Sequence, residues 1–298
     1  VAGSSVLGML IPPSLLLILF GIIAETSIGD LFIAGIVPGI VLAIAYSLLI
    51  ALMAHRYPSK VFTEEGNHLT EQPIMSLGEL TLKIAPIVGL IIVVLGGIYG
   101  GVFTATEAGG VGAMGALLLA LARRTLTWSK FWHVLVETGH VTAAISFLLI
   151  GAHIYARMIA VTGIPDALEV MIENSGLGFT ALIIIYLAII VAMGTILDAG
   201  SIMLITVPLA VPVMIAMEGA GVETNGLVWF GVITIIGVEI GLLTPPLGIA
   251  CFVIHNNLQD PRISVNDVFW GAAPFALTML IVLALVVIFP DIALILVD

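Results

Sequence analysis

The sequence predicts an all-α, polytopic membrane protein, and three observations carry that prediction. Of its 298 residues, 61% are apolar and only 9% are charged, with a mean hydropathy of +1.27, whereas a soluble domain keeps roughly 25% of its residues charged. Uncharged apolar runs recur along the whole chain, long enough as helices to cross about 30 Å of hydrocarbon. Aromatic residues make up 7% and period-2 alternation is absent, so helices rather than a membrane β-barrel are expected. The length accommodates roughly nine or ten spans. A net charge of −11, from 8 Lys and Arg against 19 Asp and Glu, argues against a nucleic-acid partner, since phosphate binding needs clustered cations. The single cysteine, Cys251, excludes an internal disulfide. No P-loop, zinc-protease or Ser/His/Asp pattern is present, so the chain is not expected to be an enzyme.

Taken in order, residues 1–54 hold a broken helix and the span that follows it (31–54). Residues 55–83 contain the polar stretch SKVFTEEGNHLTEQP, too hydrophilic for lipid, and are expected to form a cytoplasmic loop and surface helix. Residues 84–137 supply spans at 84–106 and 108–122 and an interfacial helix over 125–137, where Trp128, Phe131 and Trp132 flank Lys130. Residues 138–298 supply a span (138–156), a hairpin (174–217), a second broken helix (226–256) and a last span (268–290). Arg56, Lys60, Lys83, Arg123, Arg124, Lys130 and Arg262 fall on one side of this threading, which the positive-inside rule makes cytoplasmic. The opposite connections, 25–30, 104–108, 164–174 and 217–225, lack Lys and Arg. Arg157 alone departs, and snorkelling to the interface accommodates it.

A repeat underlies this order. Gly8-Met-Leu-Ile-Pro12-Pro13-Ser14 recurs as Gly241-Leu-Leu-Thr244-Pro245-Pro246-Leu247, and Ser27-Ile-Gly-Asp30-Leu-Phe32 recurs as Ser264-Val-Asn-Asp267-Val-Phe269. On the threading above, the two Pro-Pro segments run in opposite directions. Oppositely directed broken spans are the mark of an inverted-repeat secondary transporter, with substrate and ion sites at the breaks. A helical proline lacks an N–H for the carbonyl four residues back, so Pro12, Pro13, Pro245 and Pro246 should free the carbonyls of Gly8, Met9, Gly241 and Leu242. A carbonyl left unbonded in hydrocarbon costs several kcal/mol. Na+ is a suitable partner, and the Thr244 hydroxyl adds an oxygen. The half-helices beyond the prolines direct positive dipole ends toward a carboxylate substrate.

The hairpin turns at Leu197-Asp198-Ala199-Gly200-Ser201. Its backbone is expected to pack against a break, while the Asp198 side chain is either a cation contact or an ordinary N-cap. Glu239 precedes the second break, where it either orients the break or is a buried structural carboxyl. Glu107 in TATEA is expected to cap the helix that begins there.

The motifs LGMLIPPS (7–14), SIGDLFIAGIVPG (27–39), GGIYGGVFTATEA (96–108), LDAGSIMLITVPLAVPV (197–213) and IGLLTPPLG (240–248) closely resemble the large membrane subunit of tripartite ATP-independent periplasmic (TRAP) transporters. The resemblance implies an elevator-type importer of organic acids such as C4-dicarboxylates or sialic acid, in a bacterial or archaeal inner membrane. Na+ is the implied coupling ion, without another cofactor. It also implies two protein partners, a small four-helix membrane subunit and a periplasmic substrate-binding protein. The implied sodium-binding residues are Gly200, Gly241, Thr244 and Leu247, with Gly8 from the first repeat. Asp198, Ser201, Pro245, Pro246, Pro12, Pro13, Ser14 and Glu239 are candidates for the transport path, and Thr106 and Glu107 are a structural signature. The family carries a further hairpin ahead of its first break, so a longer protein is expected, of which this chain is the C-terminal part. Ile11 matches Thr244, so the two breaks should differ in side-chain ligands. An ion channel and a non-transporting structural subunit are the rival readings.

Overall fold

The structure, a computed structural model, describes residues 2–58, 76–216, 225–258, 260 and 262–297. These residues are helical, with no strand among them. The expected cytoplasmic loop falls largely on 59–75, and most of the 217–225 connection on 217–224, both outside the described residues. The helices are α1 (Ala2–Leu10), α2 (Leu15–Ile23), α3 (Ile28–Arg56), α4 (Leu77–Tyr99), α5 (Ala105–Ala122), α6 (Trp128–Thr162), α7 (Ile164–Ser175), α8 (Phe179–Gly194), α9 (Ala199–Ala216), α10 (Gly226–Leu242), α11 (Ile249–Leu258), α12 (Val265–Ile288) and α13 (Asp291–Leu294). Five of them, α3, α4, α5, α6 and α12, are long and apolar enough to cross a membrane, and α1 with α2 forms a sixth, bent candidate.

Two expectations are revised. Residues 128–137 of the expected interfacial helix and the expected span 138–156 lie in one continuous 35-residue helix, α6. Its polar positions, including His133, Glu137 and His140, interrupt the hydropathy without interrupting the backbone, because these residues are tolerated in a helix. Residues 164–174 are a helix as well, α7. Leu168, Met171, Ile172 and Ser175 line a cleft that it shares with α8 and α9, while Asp166 is exposed in its first turn.

The chain divides into two compact units, 1–49 with 148–298, and 50–147. In the first, α10 is the central element. Every residue from Gly226 to Leu242 except Leu227 is buried, and α10 contacts α1, α2, α8, α9, α11, α12 and α13. Trp229 fixes its start, donating from Nε1 to the Val286 carbonyl at 2.8 Å. Aromatic contacts of Phe230 with Phe20 and with Tyr186 tie it to α2 and α8.

In the second unit α4 packs on α5, with Leu90 of α4 beside Gly115 and Val94 beside Gly112. The connection between them explains GGIYGGVFTATEA. Gly101 takes a positive φ of 65°, and Phe103 folds back so closely that a Cβ on Gly97 would meet its ring at 1.9 Å. Thr104 then begins α5 with a capping box. The Glu107 amide donates to its hydroxyl, and the Thr104 amide donates to the Glu107 carboxylate at 2.8 Å. Glu107 therefore caps as expected, but its hydroxyl partner is Thr104; Thr106 is exposed in the first turn.

Candidate functional site

The two copies of the repeat fold alike. In each, a helix stops, a Pro-Pro step follows with a cis peptide bond, a short second helix begins, and a capped long helix comes next. Ser27 accepts from the Asp30 amide at the start of α3, and Ser264 with Asp267 forms a full capping box at the start of α12. The repeated Ser-x-x-Asp is thus a helix-start signal, with the serine hydroxyl accepting from the Asp amide in both copies and the Asp carboxylate returning the bond in the second.

At the first break α1 and α2 meet at 45°. Ser14, 1% exposed, donates its hydroxyl to the Met9 carbonyl and accepts from the Leu17 amide. One side chain thereby closes the end of α1 and the start of α2, so the Met9 carbonyl, expected to be free, is satisfied within the protein. Pro12 is buried. Gly35 and Gly39 of α3 lie against this turn, and a Cβ on Gly35 would stand 2.9 Å from the Leu10 carbonyl oxygen. Gly8 and Pro13 are exposed, and nothing lies within 4 Å of the Cβ position of Gly8.

At the second break α10 tightens before it ends. The Thr244 amide donates to the Gly241 carbonyl at 2.9 Å, and the Thr244 hydroxyl donates to the Ile240 carbonyl at 2.7 Å. The Gly241 carbonyl is therefore bonded locally, because the last turn shifts to a three-residue spacing that the prolines do not interrupt. A carbonyl oxygen has two lone pairs and a hydroxyl accepts while it donates, so both groups keep capacity for a cation. Gly248 takes a positive φ of 45°, with Phe269 of α12 packed where a Cβ would sit. Pro245, Pro246 and Leu247 are exposed.

The hairpin formed by α8 and α9 meets this break at its tip. The Leu247 and Gly248 amides both donate to the Thr195 carbonyl, at 3.0 and 3.1 Å. One residue earlier the two backbones touch: a Cβ on Gly194 would stand 2.7 Å from the Gly241 Cα, and one on Gly241 would stand 2.6 Å from the Gly194 Cα. Asp198 accepts from the Ser201 amide at 3.1 Å and also binds the Ser201 hydroxyl, so its carboxylate holds the start of α9. Gly200 faces Asp198 and Leu19 of α2.

The structure thus gathers Gly241, Thr244 and Leu247 beside the hairpin tip, and pairs Asp198 with Ser201. Gly194 and Thr195 were not in the sequence-based set. The available signal was Gly237-x-x-x-Gly241, a small-residue pair that permits close helix approach; both glycines face α8.

Glu239 is fully buried, and neither carboxylate oxygen has a hydrogen-bonding partner among the described residues. A cleft of about 530 Å3 between α7, α8 and α9 is lined mainly by apolar side chains and by no residue of either break. Outside the helices, hydrogen bonds from the Arg262 guanidinium and amide hold the partly exposed Asp260 carboxyl down to about 2.

Among known proteins, the family model described as tripartite ATP-independent periplasmic transporter, DctM component, matches residues 1–292. The chain is 32% identical to the sialic acid TRAP transporter large permease protein SiaM of Vibrio cholerae, over 99% of this chain and 66% of that protein. It is 31% identical to the C4-dicarboxylate TRAP transporter large permease protein DctM of Pseudomonas aeruginosa, over 99% of this chain and 65% of that protein. It is likewise 31% identical to the ectoine TRAP transporter large permease protein TeaC of Halomonas elongata, over 100% of this chain and 66% of that protein. The chain therefore spans slightly less than two thirds of the length of these relatives.

Proposed function

Because this chain belongs to the DctM-component family of tripartite ATP-independent periplasmic transporters, we propose that it is part of a large permease subunit that imports an organic acid with Na+, in a bacterial or archaeal inner membrane. A periplasmic binding protein delivers the acid, and a small membrane subunit completes the transporter. The acid belongs to the range that the relatives' names span, from C4-dicarboxylates to sialic acid.

The observation that carries this reading is the meeting of the second break with the hairpin tip. Gly241, Thr244 and Leu247 lie where the Thr195 carbonyl binds the break. The donor set is one of backbone carbonyls and a hydroxyl, which suits a hard cation that takes oxygen ligands. In this reading Na+ binds the oxygens of Gly241 and Thr244 and steadies the tip. The substrate carboxylate then meets the N-terminal ends of the half-helices α2 and α11, where helix dipoles favour an anion. The loaded unit finally crosses the bilayer as an elevator.

Uptake of radiolabelled organic acids into proteoliposomes tests this, with the complete transporter and its binding protein present. Uptake is expected to require both an inward sodium gradient and the binding protein. Uptake indifferent to the gradient would refute the coupling.

A further inference from the structure

The hairpin meets the second break backbone to backbone at Gly194 and Thr195. No side chain intervenes where Gly194 meets Gly241, and the Thr195 carbonyl takes both amides that follow the prolines. From this we infer that Gly194 and Thr195 are positioning residues of the second break. The glycine contact sets the distance at which the Thr195 carbonyl can fasten Leu247 and Gly248, and so fixes the spacing of the Gly241 and Thr244 oxygens. The inference rests on the sodium reading for its consequence in transport, but the fastening itself does not depend on it.

The geometry makes the effect of a side chain specific. A Cβ on Gly194 meets the Gly241 Cα at 2.7 Å, the Gly241 carbonyl carbon at 3.1 Å and the Val238 carbonyl oxygen at 3.1 Å. All three are backbone atoms, which cannot rotate away, so α8 and α10 must part at this level. The Thr195 carbonyl is the next residue along α8 and moves with it, lengthening the bonds to Leu247 and Gly248. Hydrogen bonds weaken steeply with stretch and misalignment. Gly237 provides the control, four residues earlier on the same face of α10. A Cβ there meets only the ends of Leu187 and Ile190, at 3.2 and 3.5 Å, and those side chains can shift. Its substitution disturbs the same helix pair without moving the tip.

The test compares Gly194→Ala with Gly237→Ala in the complete transporter, by two readouts. The first is amide hydrogen exchange across residues 243–250. Gly194→Ala should accelerate exchange at Leu247 and Gly248, while Gly237→Ala leaves it as in the unsubstituted protein. The second is the sodium concentration for half-maximal uptake. Gly194→Ala should raise it by about tenfold or more with a smaller effect on maximal rate, and Gly237→Ala by less than about threefold. Unchanged exchange in Gly194→Ala overturns the fastening, as does equal acceleration in both variants. Accelerated exchange with unaltered sodium dependence overturns the positioning role. If uptake by the unsubstituted protein ignores sodium, the coupling reading fails, and exchange alone still decides whether Gly194 and Thr195 hold the break.

Discussion

Glu239 is the residue most at odds with its surroundings. It lies in the last turn of a nearly enclosed helix, and both carboxylate oxygens lack a hydrogen-bonding partner among the described residues. An unpartnered buried polar group costs roughly 1–3 kcal/mol by mutational measures, and an ionisable side chain inside a membrane protein is by default a functional hypothesis. Glu239→Leu is accordingly expected to raise the melting temperature of the detergent-solubilised protein while lowering uptake; a lower melting temperature would contradict this. Asp198 contrasts with it. Its exposed carboxylate is engaged by Ser201, and of the two roles open from sequence, the structure displays the N-cap.

Glycines do corresponding work on the two breaks. Gly35 and Gly39 bring α3 against Leu10 and Ile11, and Gly241 brings the end of α10 against Gly194 of α8. The breaks themselves were legible, because Pro-Pro has one reading inside an apolar helix, and so were the capped helix starts after them. What secures each break was not legible. Gly194 and Gly241 are far apart in sequence, and hydropathy carries no information about which surfaces meet. The same limit explains α6 and α7: polar residues argue against lipid, not against helix. The α4–α5 turn offers a direct check, since Phe103 occupies the space where a Gly97 side chain would lie. Gly97→Ala should cost about 1–3 kcal/mol as a lowered thermal midpoint, and adding Phe103→Ala should restore part of it. No recovery in the double variant would show that the clash lies elsewhere.

Among the described residues, many large apolar side chains are exposed. Leu82, Ile92, Phe147, Val161 and Leu277 are each more than half exposed, and no residue in the apolar window of α4 is buried. Such a surface needs lipid, detergent or a partner subunit against it. Membranes washed with alkaline carbonate are therefore expected to retain the protein, and its release into the supernatant would refute multi-pass insertion. Composition sufficed to predict this, as it did the all-helical class. The enclosure of α10 has a consequence for biogenesis. Once the fold is complete, its neighbours rather than lipid surround nearly all of this helix, which is how it tolerates Thr234, four glycines and a carboxyl. Before they arrive, the same 17 residues would expose that carboxyl to acyl chains. Insertion of α10 is thus a collective event, favourable in company with helices already seated in the bilayer and penalised if the segment leaves the translocon alone.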